Sequence, residues 1–571
     1  MKRIPSWVFA AIPVAATFLV WFGATRSGFT PDDYLVINVQ SPIRTFIDVI
    51  SMFWRQDPNP QYWRPLADSS VSFDFWLWGW NGGMFHLTNL LLHCIAVGLI
   101  YVFVRRMFSF SAFAAGILAL FFGVSGSHDS NLLWIAARAD VIAMIMMLIV
   151  LLSAYKAASM QKGKWLWLII SFIGYFFALS AKEVSVVIIV LLPLLVYSAS
   201  GKEVWQKKWH ILGQISPYIV ITAIFIVIRL QFTVPFSEMQ PLTAEGSHSI
   251  IAFAKNFLYS IGYAIAPVDF RMASIIVNRY AAIGYAAAIM LFTGVILLMK
   301  ISGAKKTAVR LYKPLILTLV TGLVSFQSFE RWRIYFPSVG IFAILIILFA
   351  SFWNIERRRL LMRGALVVLA ISVGVFHIHQ AVRSQHLWEK ATAALPAYKR
   401  DLQKILALHK QRPITLELIT SPTKYGSAPL IQLSKTFLAK YAEADLLNSP
   451  GLQYGAVSIP GDSITIETDL DLYALEPEKG FRSLEFKKIG DREYEISGIK
   501  DEIGLFPNAE FKGGKARRDM KLESGEKMET FGSEVTIIDA ESSFASHVRL
   551  KITDTSSVHL YYNGEHLVEL R

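Results

Sequence analysis

Two adjacent acidic residues, Asp32 and Asp33, stand in the segment 29–34, a few residues after the first apolar run of the chain. Adjacent carboxylates repel each other, which favours protonation of one of them or the binding of a cation. The pair therefore suits a general base, a ligand of a divalent metal ion, or one role for each residue. The alternative is a solvated helix start, because Thr30 and Pro31 before the pair are also typical of helix N-termini.

A second candidate group lies in the segment 85–93, FHLTNLLLH. His86, Asn89 and His93 are spaced by three and four residues, so they share one face of a helix. Inside lipid such polar groups need partners within the helical bundle. Hydrogen bonds between helices are the favoured role of His93, which lies deeper in the apolar run. His86, at the outer end, is a candidate functional residue.

Charged residues recur in the short segments between the other apolar runs. The candidates are Arg64, His128, Asp129, Arg138, Lys182, Arg331 and Arg333. Each alone has an ordinary explanation as a loop charge or a local ion pair, for example between Lys182 and Glu183. A basic residue beside carboxylates at a membrane boundary also suits an anionic lipid headgroup, with the acid available to activate a hydroxyl group.

Composition decides which class of protein must position these residues. Of 571 residues, 54% are hydrophobic and only 17% are charged, and the mean hydropathy is +0.44. Such a chain is not a soluble globular protein, a disordered chain or a coiled coil. The single cysteine, Cys94, excludes a disulfide framework and a thiolate metal site. The net charge is +17 over residues 1–384 and −4 over residues 385–571, so the positive charge indicates membrane topology rather than nucleic-acid binding.

Apolar runs long enough, or nearly so, to cross about 30 Å of hydrocarbon recur through the first two thirds of the chain. They predict about eleven membrane spans near 7–24, 84–104, 110–126, 140–156, 165–181, 184–199, 212–230, 281–299, 314–329, 334–353 and 361–378. The first span is predicted to remain as a signal anchor, because no clear cleavage site follows it.

The distribution of basic residues predicts the topology of these spans. If the segment 249–267 crossed the membrane, nine basic residues of the loops near 300–313 and 356–363 would face outward. We therefore expect this segment to lie at the outer interface or to re-enter, which gives an inside N-terminus and an outside C-terminal part. In this topology the charged and histidine candidates all fall on the same outer face as Asp32 and Asp33.

The chain after residue 384 has a different hydrophobic pattern. Alternating runs predict strands at 414–420, 463–468, 483–488, 535–539, 547–553 and 558–562, and the segment 429–444 predicts an amphipathic helix. We therefore expect two domains: a transmembrane domain over 1–384, with a first outer loop at about 25–83, and a soluble α+β or β-rich domain over 385–571.

Six motifs occur in an order that resembles a known family. They are DDY at 32–34, YWRPL at 62–66, FHLTNLLLH at 85–93, WIAARAD at 134–140, AKE at 181–183 and ERWRIYFPSVG at 330–340. Together they resemble the GT-C superfamily of membrane glycosyltransferases, and most closely the protein O-mannosyltransferase group with its tetratricopeptide-bearing relatives. The resemblance covers about residues 1–380. The tail carries no tetratricopeptide signature, so the resemblance leaves the acceptor open.

The resemblance implies an enzyme that uses a sugar on a polyprenyl phosphate, usually with inversion. It implies Asp33 or Asp32 as the base that deprotonates the acceptor hydroxyl, with a divalent metal ion as an additional role for the pair. It also implies a set of residues that hold the carrier phosphate or the substrate, namely Arg138, Lys182, Arg331, Arg333, Arg64, His86, His128 and Asp129.

We therefore expect a hexosyltransferase that transfers a sugar to a hydroxyl group of a protein or glycan on the outer face of a membrane, such as the bacterial cytoplasmic membrane. The expected partners are the lipid-linked sugar, the acceptor and membrane lipid, and not nucleic acid. The alternative is a lipid or polysaccharide transporter or flippase, for which Arg229 and the histidine face give weak support. A non-catalytic membrane scaffold is a third hypothesis, which the intact outer-face motifs oppose.

Overall fold

The computed structural model describes residues 5–30, 33, 36–37, 45–55, 62–160, 162–196, 208–233, 250–267, 274–302, 304–325, 331–353, 359–409, 414–422, 424–425, 428–429, 464–472, 485–497, 505–507, 523–529, 533–541, 544–554, 556–562 and 567–570. The chain divides into two compact units. The first comprises Met1–Thr25, Thr45–Val268 and Ala282–Gln385, and the second comprises Arg26–Arg44, Asp269–Ala281 and His386–Arg571.

The first unit is helical. The α-helices are α1 (Val8–Trp21), α2 (Phe46–Ile50), α3 (Pro65–Trp78), α4 (Gly82–Met107), α5 (Ala112–Gly123), α6 (Asp129–Leu133), α7 (Arg138–Ala158), α8 (Lys164–Ala181), α9 (Ile188–Leu191), α10 (Lys208–Phe232), α11 (Ile250–Ile265), α12 (Ser274–Ser302), α13 (Ala304–Ser325), α14 (Pro337–Trp353) and α15 (Arg359–Leu408). Residues 274–281 of α12 and 386–408 of α15 belong to the second unit.

In the described part of the chain, seven helical segments are long and apolar enough to cross a membrane. They are Val8–Arg26, Gly82–Met107, Ile135–Ala158, Lys164–Ala181, Leu212–Phe232, Ala282–Ile301 and Arg363–Lys390. The pair Ala112–Gly123 and Gly126–Leu133, bent by 49°, makes an eighth candidate. The chain is therefore a polytopic helical membrane protein, as predicted, but the described residues hold seven or eight candidate spans where about eleven were expected.

Three predicted segments are not among these candidates, and two of them, 184–199 and 314–329, run past the described residues. Glu183–Leu194 and Pro337–Trp353 are apolar but short, and 17 helical residues reach only about 26 Å. Helix α13 is long enough, but its first turns carry several basic residues. Helix α11, over the ambiguous segment 249–267, has 16 residues and is not among the candidate spans.

Glycines allow the helices of the first unit to approach closely. A Cβ atom on Gly116 of α5 would come within 2.8 Å of the Phe9 carbonyl oxygen in α1, and one on Gly123 would collide with the Thr17 hydroxyl. Helix α7 supplies much of the core, and Ser171 of α8 donates to one of its carbonyl groups at 3.1 Å. Close helix packing of this kind is typical of membrane proteins. In lipid no hydrophobic force drives helices together, and small residues allow the close contacts that do.

The second unit contains a ten-stranded sheet among the described residues. Its strands are β1 (Ile414–Pro422), β4 (Ile464–Leu472), β5 (Glu485–Gly490), β6 (Glu493–Ser497), β7 (Leu505–Pro507), β8 (Lys527–Glu529), β9 (Ser533–Glu541), β10 (Phe544–Ile552), β11 (Val558–Tyr562) and β12 (Leu567–Glu569), and a separate pair joins β2 (Lys424–Tyr425) to β3 (Ala428–Pro429). The order is β12-β11-β1-β4-β7-β10-β6-β5, with β9 also pairing β10 and β8 pairing β9.

The six predicted strands are confirmed as β1, β4, β5, β9, β10 and β11. Strand β1 runs parallel to both β4 and β11, whereas the other pairs are antiparallel. Val535, Ile537, Val548 and Leu550 alternate inward on β9 and β10 and are fully buried. The predicted helix at 429–444 lies outside the described residues except for its first residue, which ends β3.

Candidate functional site

The span formed by α5 and α6 is broken, and side chains from other segments cap the carbonyl groups at the break. The Gly123 carbonyl oxygen accepts hydrogen bonds from Trp21 Nε1 at 2.9 Å and from His93 Nε2 at 3.0 Å. The Phe122 carbonyl oxygen lies 3.0 Å from His128 Nδ1. An unpaired carbonyl group within lipid costs several kcal/mol, so these contacts stabilise the break. They confirm that His93 forms a hydrogen bond between helices.

The other two polar residues on this face of α4 hold the end of α6. Asn89 Nδ2 donates to the Leu132 carbonyl oxygen at 3.2 Å, and His86 Nδ1 lies 3.4 Å from the same oxygen. Both side chains are fully buried. The face that the sequence singled out therefore supports the broken span, whose short second helix begins at Asp129.

Arg138, the first residue of α7, is almost completely buried, and each of its nitrogen atoms makes a polar contact. Nη2 pairs with Asp74 Oδ2 of α3 at 2.7 Å and donates to the Phe85 carbonyl oxygen at 2.9 Å. Nε donates to Asn89 Oδ1 at 2.5 Å, and Nη1 donates to the Ser70 carbonyl oxygen at 3.2 Å. The donors of the guanidinium fork thereby join α3, α4 and α7.

Asp74 is equally buried at the other end of this ion pair. Its second oxygen accepts a hydrogen bond from the Thr88 hydroxyl at 2.9 Å. Burial raises the pKa of Asp74 above the usual carboxyl range, although the charge of Arg138 and the two hydrogen bonds act in the opposite direction. The carboxylate depends on Arg138 to remain ionised.

Five charged side chains form one network at the ends of α7, α8 and α10 and the start of α3. Lys182 Nζ lies 2.6 Å from Asp140 Oδ2. Arg64 Nη2 lies 3.0 Å from Glu183 Oε2, and Arg229 Nη2 lies 3.5 Å from Glu183 Oε1. Lys182 and Glu183 thus each bind a distant partner rather than each other. Three cations face two carboxylates, so the network carries one excess positive charge.

Burial and the ion pairs shift the pKa values of this network in different directions. For Arg64 burial is outweighed by the charge and hydrogen bonds of Glu183, which raise the pKa of the guanidinium. For Glu183 burial is outweighed by the charges of Arg64 and Arg229, which lower the pKa of the carboxyl. For Lys182 burial prevails, together with the charge of Arg64, and lowers the pKa of the ammonium despite Asp140. Lys182 therefore loses its charge at a lower pH than an ordinary lysine.

Two further candidates, Asp129 and Arg331, pair with each other. Arg331 Nη1 lies 3.3 Å from Asp129 Oδ2, which also accepts a hydrogen bond from the Ser384 hydroxyl at 3.1 Å. The backbone N–H of Ser130 donates to the other Asp129 oxygen at 2.6 Å. Arg331 retains 13% side-chain exposure, whereas Asp129 is buried. The pair joins the broken span to the segment Arg331–Ile334 and to α15.

Tyr335, four residues after Arg331, connects the same segment to α4. The Tyr335 hydroxyl lies 2.5 Å from His93 Nδ1. Because His93 Nε2 donates to a carbonyl group, Nδ1 is the acceptor and the tyrosine is the donor. His128 Nε2 lies 3.0 Å from the Ser338 hydroxyl, so His128 is buried among hydrogen-bond partners on both sides. Arg333 lies in the same segment and is partly exposed.

Asp33 belongs to the second unit, where it is fully buried. Its Oδ2 accepts hydrogen bonds from the Thr30 backbone N–H at 2.7 Å and from the Thr30 hydroxyl at 2.8 Å. This is the contact pattern of a helix start, although the carboxylate is buried rather than solvated. Asp32 lies outside the described residues, so the metal role of the pair remains a prediction. Within the described ranges, no group of three or more His, Cys, Asp or Glu residues could hold a metal ion.

Four residues at the site are absent from the candidates of the sequence analysis: Asp74, Asp140, Arg229 as a member of a charge network, and Tyr335. Arg229 is the only charged residue in the apolar run 212–232, and Asp74 is one of two in the run 65–80. An isolated charge in such a run is rarely tolerated without a partner, so this signal was available. A single tyrosine carries no comparable signal.

The span helices and the buried ion pairs define a polytopic membrane protein whose helical unit holds the basic motif residues Arg64, Arg138, Lys182 and Arg331, whereas Asp33 belongs to the second unit. No protein-family model matches the sequence. The chain is 26% identical over 200 residues to Protein O-mannosyl-transferase Tmtc1 of Drosophila melanogaster, which is 33% of this chain and 23% of that protein. It is 29% identical over 155 residues to Protein O-mannosyl-transferase TMTC1 of Mus musculus, 25% of this chain and 16% of that protein.

These relatives confirm the resemblance to protein O-mannosyltransferases that the motifs predicted. The chain spans less than a quarter of the length of either relative. Among solved structures, ArnT from Cupriavidus metallidurans bound to undecaprenyl phosphate aligns with 82% of this chain and 93% of that chain, at 14% identity and a TM-score of 0.40. AglB from Archaeoglobus fulgidus, in complex with an inhibitory peptide and a dolichol-phosphate, aligns with 68% and 56%, at 11% identity and a TM-score of 0.39. Neither alignment is strong enough to define the fold of this chain.

Proposed function

We propose that the chain is a membrane glycosyltransferase that moves a sugar from a polyprenyl-phosphate carrier to a hydroxyl group of a protein or glycan. The observation that carries this proposal is the network of Lys182, Arg64 and Arg229 with two carboxylates. It lies at the ends of membrane helices, is partly exposed, and has one positive charge in excess. A lipid phosphodiester carries one negative charge in the headgroup region, so its charge is complementary to that of the network.

The convergence of distant residues supports the same proposal. Residues from the starts of α3 and α7 and from the ends of α8 and α10 meet in one network, so these helix ends lie on the same side of the helical unit. The starts of α4 and α7 meet through Asn89 and Arg138. We propose that this side is the extracytoplasmic face and that the tail 385–571 is an extracytoplasmic domain.

In the proposed reaction the acceptor hydroxyl oxygen attacks the anomeric carbon of the sugar. The new carbon–oxygen bond forms as the bond to the phosphate oxygen breaks, and the electron pair of that bond leaves with the phosphate. Asp33 takes the hydroxyl proton. The carrier changes from a phosphodiester to a monoester and gains one negative charge, which Lys182 and Arg64 stabilise. Attack opposite the leaving group inverts the anomeric configuration.

Other candidates divide into substrate contacts and supports. Arg331 and Arg333 retain exposure and are proposed to contact the substrate, with Asp129 fixing Arg331. Arg138 is buried and fully engaged, which supports a positioning role rather than contact with the phosphate. The contacts of His86 and His128 likewise support positioning. The curated relatives make mannose the first sugar to test.

The test is release of the carrier by the purified protein in lipid nanodiscs, supplied with polyprenyl-phosphate mannose or another hexose and a hydroxyl acceptor. We expect Lys182→Met to reduce the rate about 100- to 1,000-fold, because it removes a preorganised cation. Asp33→Asn is expected to reduce it about 100- to 10,000-fold, because it removes the general base. Both variants should insert into the membrane normally.

Lys156→Met is the matched control for Lys182→Met. Lys156 stands at the opposite end of α7 from Asp140, with its ammonium 3.8 Å from the centre of the Trp167 ring. This variant should release the carrier at the rate of the unchanged protein. Unaltered release in both Lys182→Met and Asp33→Asn would contradict the proposed site. Failure of the unchanged protein to release any carrier would contradict transferase activity and favour a transporter.

A further inference from the structure

Helices α2 and α3 of the first outer loop expose a continuous apolar surface. We propose that this surface, here called the aromatic face, is inserted into the interface of the lipid bilayer. Its members are Phe46, Ile47, Ile50, Phe73, Trp76, Leu77 and Trp78. Their exposed fractions range from 38% for Phe73 to 71% for Ile47.

The pattern along α3 is the reverse of that expected for a helix in water. Every exposed side chain of α3 is apolar or aromatic, at Phe73, Trp76, Leu77 and Trp78. Two of its polar side chains are engaged within the protein: Asp74 pairs with Arg138, and the Ser69 hydroxyl donates to the Val49 carbonyl oxygen at 3.0 Å. A soluble helix buries its apolar stripe and exposes its charges. This helix buries Asp74 and half-buries Asp68, whereas it exposes the aromatic residues Phe73, Trp76 and Trp78.

Ring contacts join the exposed residues of the two helices into one surface. The Phe46 ring centre lies 5.8 Å from that of Trp76 and 6.4 Å from that of Phe73. Phe73 and Trp76 are themselves 5.8 Å apart. A contiguous apolar patch of this kind marks an interaction surface rather than scattered exposed residues.

The position of the surface along the spans identifies its partner. Helix α3 ends at Trp78, and the span α4 begins at Gly82. The Thr88 hydroxyl, which donates to Asp74, lies about 9 Å along α4 from its first residue at 1.5 Å per residue. The Phe53 ring, just after α2, lies 6.2 Å from Phe177, about 6 Å before the end of the span α8.

The headgroup region on each side of the hydrocarbon is about 5–8 Å thick. Helices α2 and α3 therefore pack beside the first turns of α4 and the last turns of α8, at the depth of this region. Tryptophan is enriched in this environment because its ring is amphipathic, and tryptophan, phenylalanine and leucine form the buried face of helices that lie in the interface. Further along α4 from Thr88 the exposed surface is also apolar, because Leu91 and Ile95 are about half exposed. Lipid is thus the partner that fits both chemistry and depth.

The test measures the depth of nitroxide labels in vesicles of phosphatidylcholine and phosphatidylglycerol. Cys94 is the only cysteine and is buried, so Cys94→Ala gives a background without reactive thiols. Labels are placed by Trp76→Cys and by Ile47→Cys in separate proteins. Ile95→Cys, within a span, is the lipid control, and Lys487→Cys, exposed on β5, is the water control.

We expect labels at 76 and 47 to collide with oxygen in preference to a water-soluble nickel chelate, with a ratio between those of the two controls and a depth of about 5–10 Å. A ratio equal to that at 487 would overturn the proposal. Exclusion of both reagents would also overturn it, because it would mean that protein covers the face. If one variant does not insert, the other decides the result. The measurement needs no enzymatic activity.

Discussion

The buried ion pair between Asp74 and Arg138 gives the sharpest test of what Arg138 does. If Arg138 positions α3, α4 and α7, its removal must destabilise the protein, and the loss must depend on Asp74. We consider the variants Asp74→Asn, Arg138→Met and the double variant. Asparagine keeps the shape of Asp74 and removes only its charge.

The magnitudes follow from the contacts. Asp74→Asn leaves a buried guanidinium that cannot lose its proton, and breaking such a pair costs about 3–5 kcal/mol. Arg138→Met leaves Asp74 without its counter-charge and removes three further hydrogen bonds, at about 1 kcal/mol each. The double variant leaves no unpaired charge. We therefore expect it to be more stable than the sum of the single effects by about 2–3 kcal/mol.

The assay is unfolding of the purified protein in mixed micelles of rising SDS content, followed by tryptophan fluorescence. The pH dependence supplies a second check. Burial already raises the pKa of Asp74, and loss of Arg138 removes an opposing effect. In Arg138→Met the folded-state pKa therefore lies well above the unfolded value. The destabilisation should be greatest at neutral pH and shrink as the pH falls through the folded-state pKa.

An exposed ion pair is the matched control. Asp48 of α2 and Arg55, which follows this helix, lie 3.5 Å apart with 23% and 35% side-chain exposure. The same double-variant cycle there should give a coupling below about 1 kcal/mol. Additive effects at Asp74 and Arg138, within about 0.5 kcal/mol, would refute the positioning role.

Three further predictions concern other parts of the helical unit. Burial lowers the pKa of Lys182, so the rate of carrier release should decline with rising pH below the usual lysine range. Lys182→Arg should move this decline to higher pH. Identical pH–rate profiles of the two proteins would contradict a role for the Lys182 charge. Tyr335→Phe removes the donor to His93 Nδ1 and should cost about 1–3 kcal/mol of unfolding free energy in the SDS assay, because a buried acceptor is left unpaired; an unchanged midpoint would exclude this hydrogen bond. Gly262→Leu places side-chain atoms against the backbone of Gly284 and should cost about 1–3 kcal/mol or more in the same assay; full stability would show that α11 and α12 do not cross closely there.

Some features of the chain could be predicted from sequence because they depend on neighbouring residues. Strands β9, β10 and β11 coincide with the alternating runs, since side chains of a strand alternate whatever the strand pairs with. The apolar runs coincide with helices for a similar local reason. The parallel pairing of β1 with both β4 and β11 was not predictable, because it joins segments far apart in the chain.

The number of spans could not be predicted from local sequence alone. The run near 110–126 is apolar throughout, yet the helix stops at Gly123. It can stop there because Trp21 and His93, from other helices, pair the carbonyl group that the break exposes. Whether an apolar run forms one straight span thus depends on donors that its own sequence does not contain.

Which charges and polar groups the chain possesses, and that apolar helices carry them near a membrane boundary, follow from the order of its residues. The partners of these groups depend on how the helices pack. Lys182 and Glu183 are neighbours in the chain, but Lys182 binds Asp140 and Glu183 binds Arg64 and Arg229. Coulombic attraction falls with distance and is strongest where water is excluded, so the packing of the helix ends selects each partner.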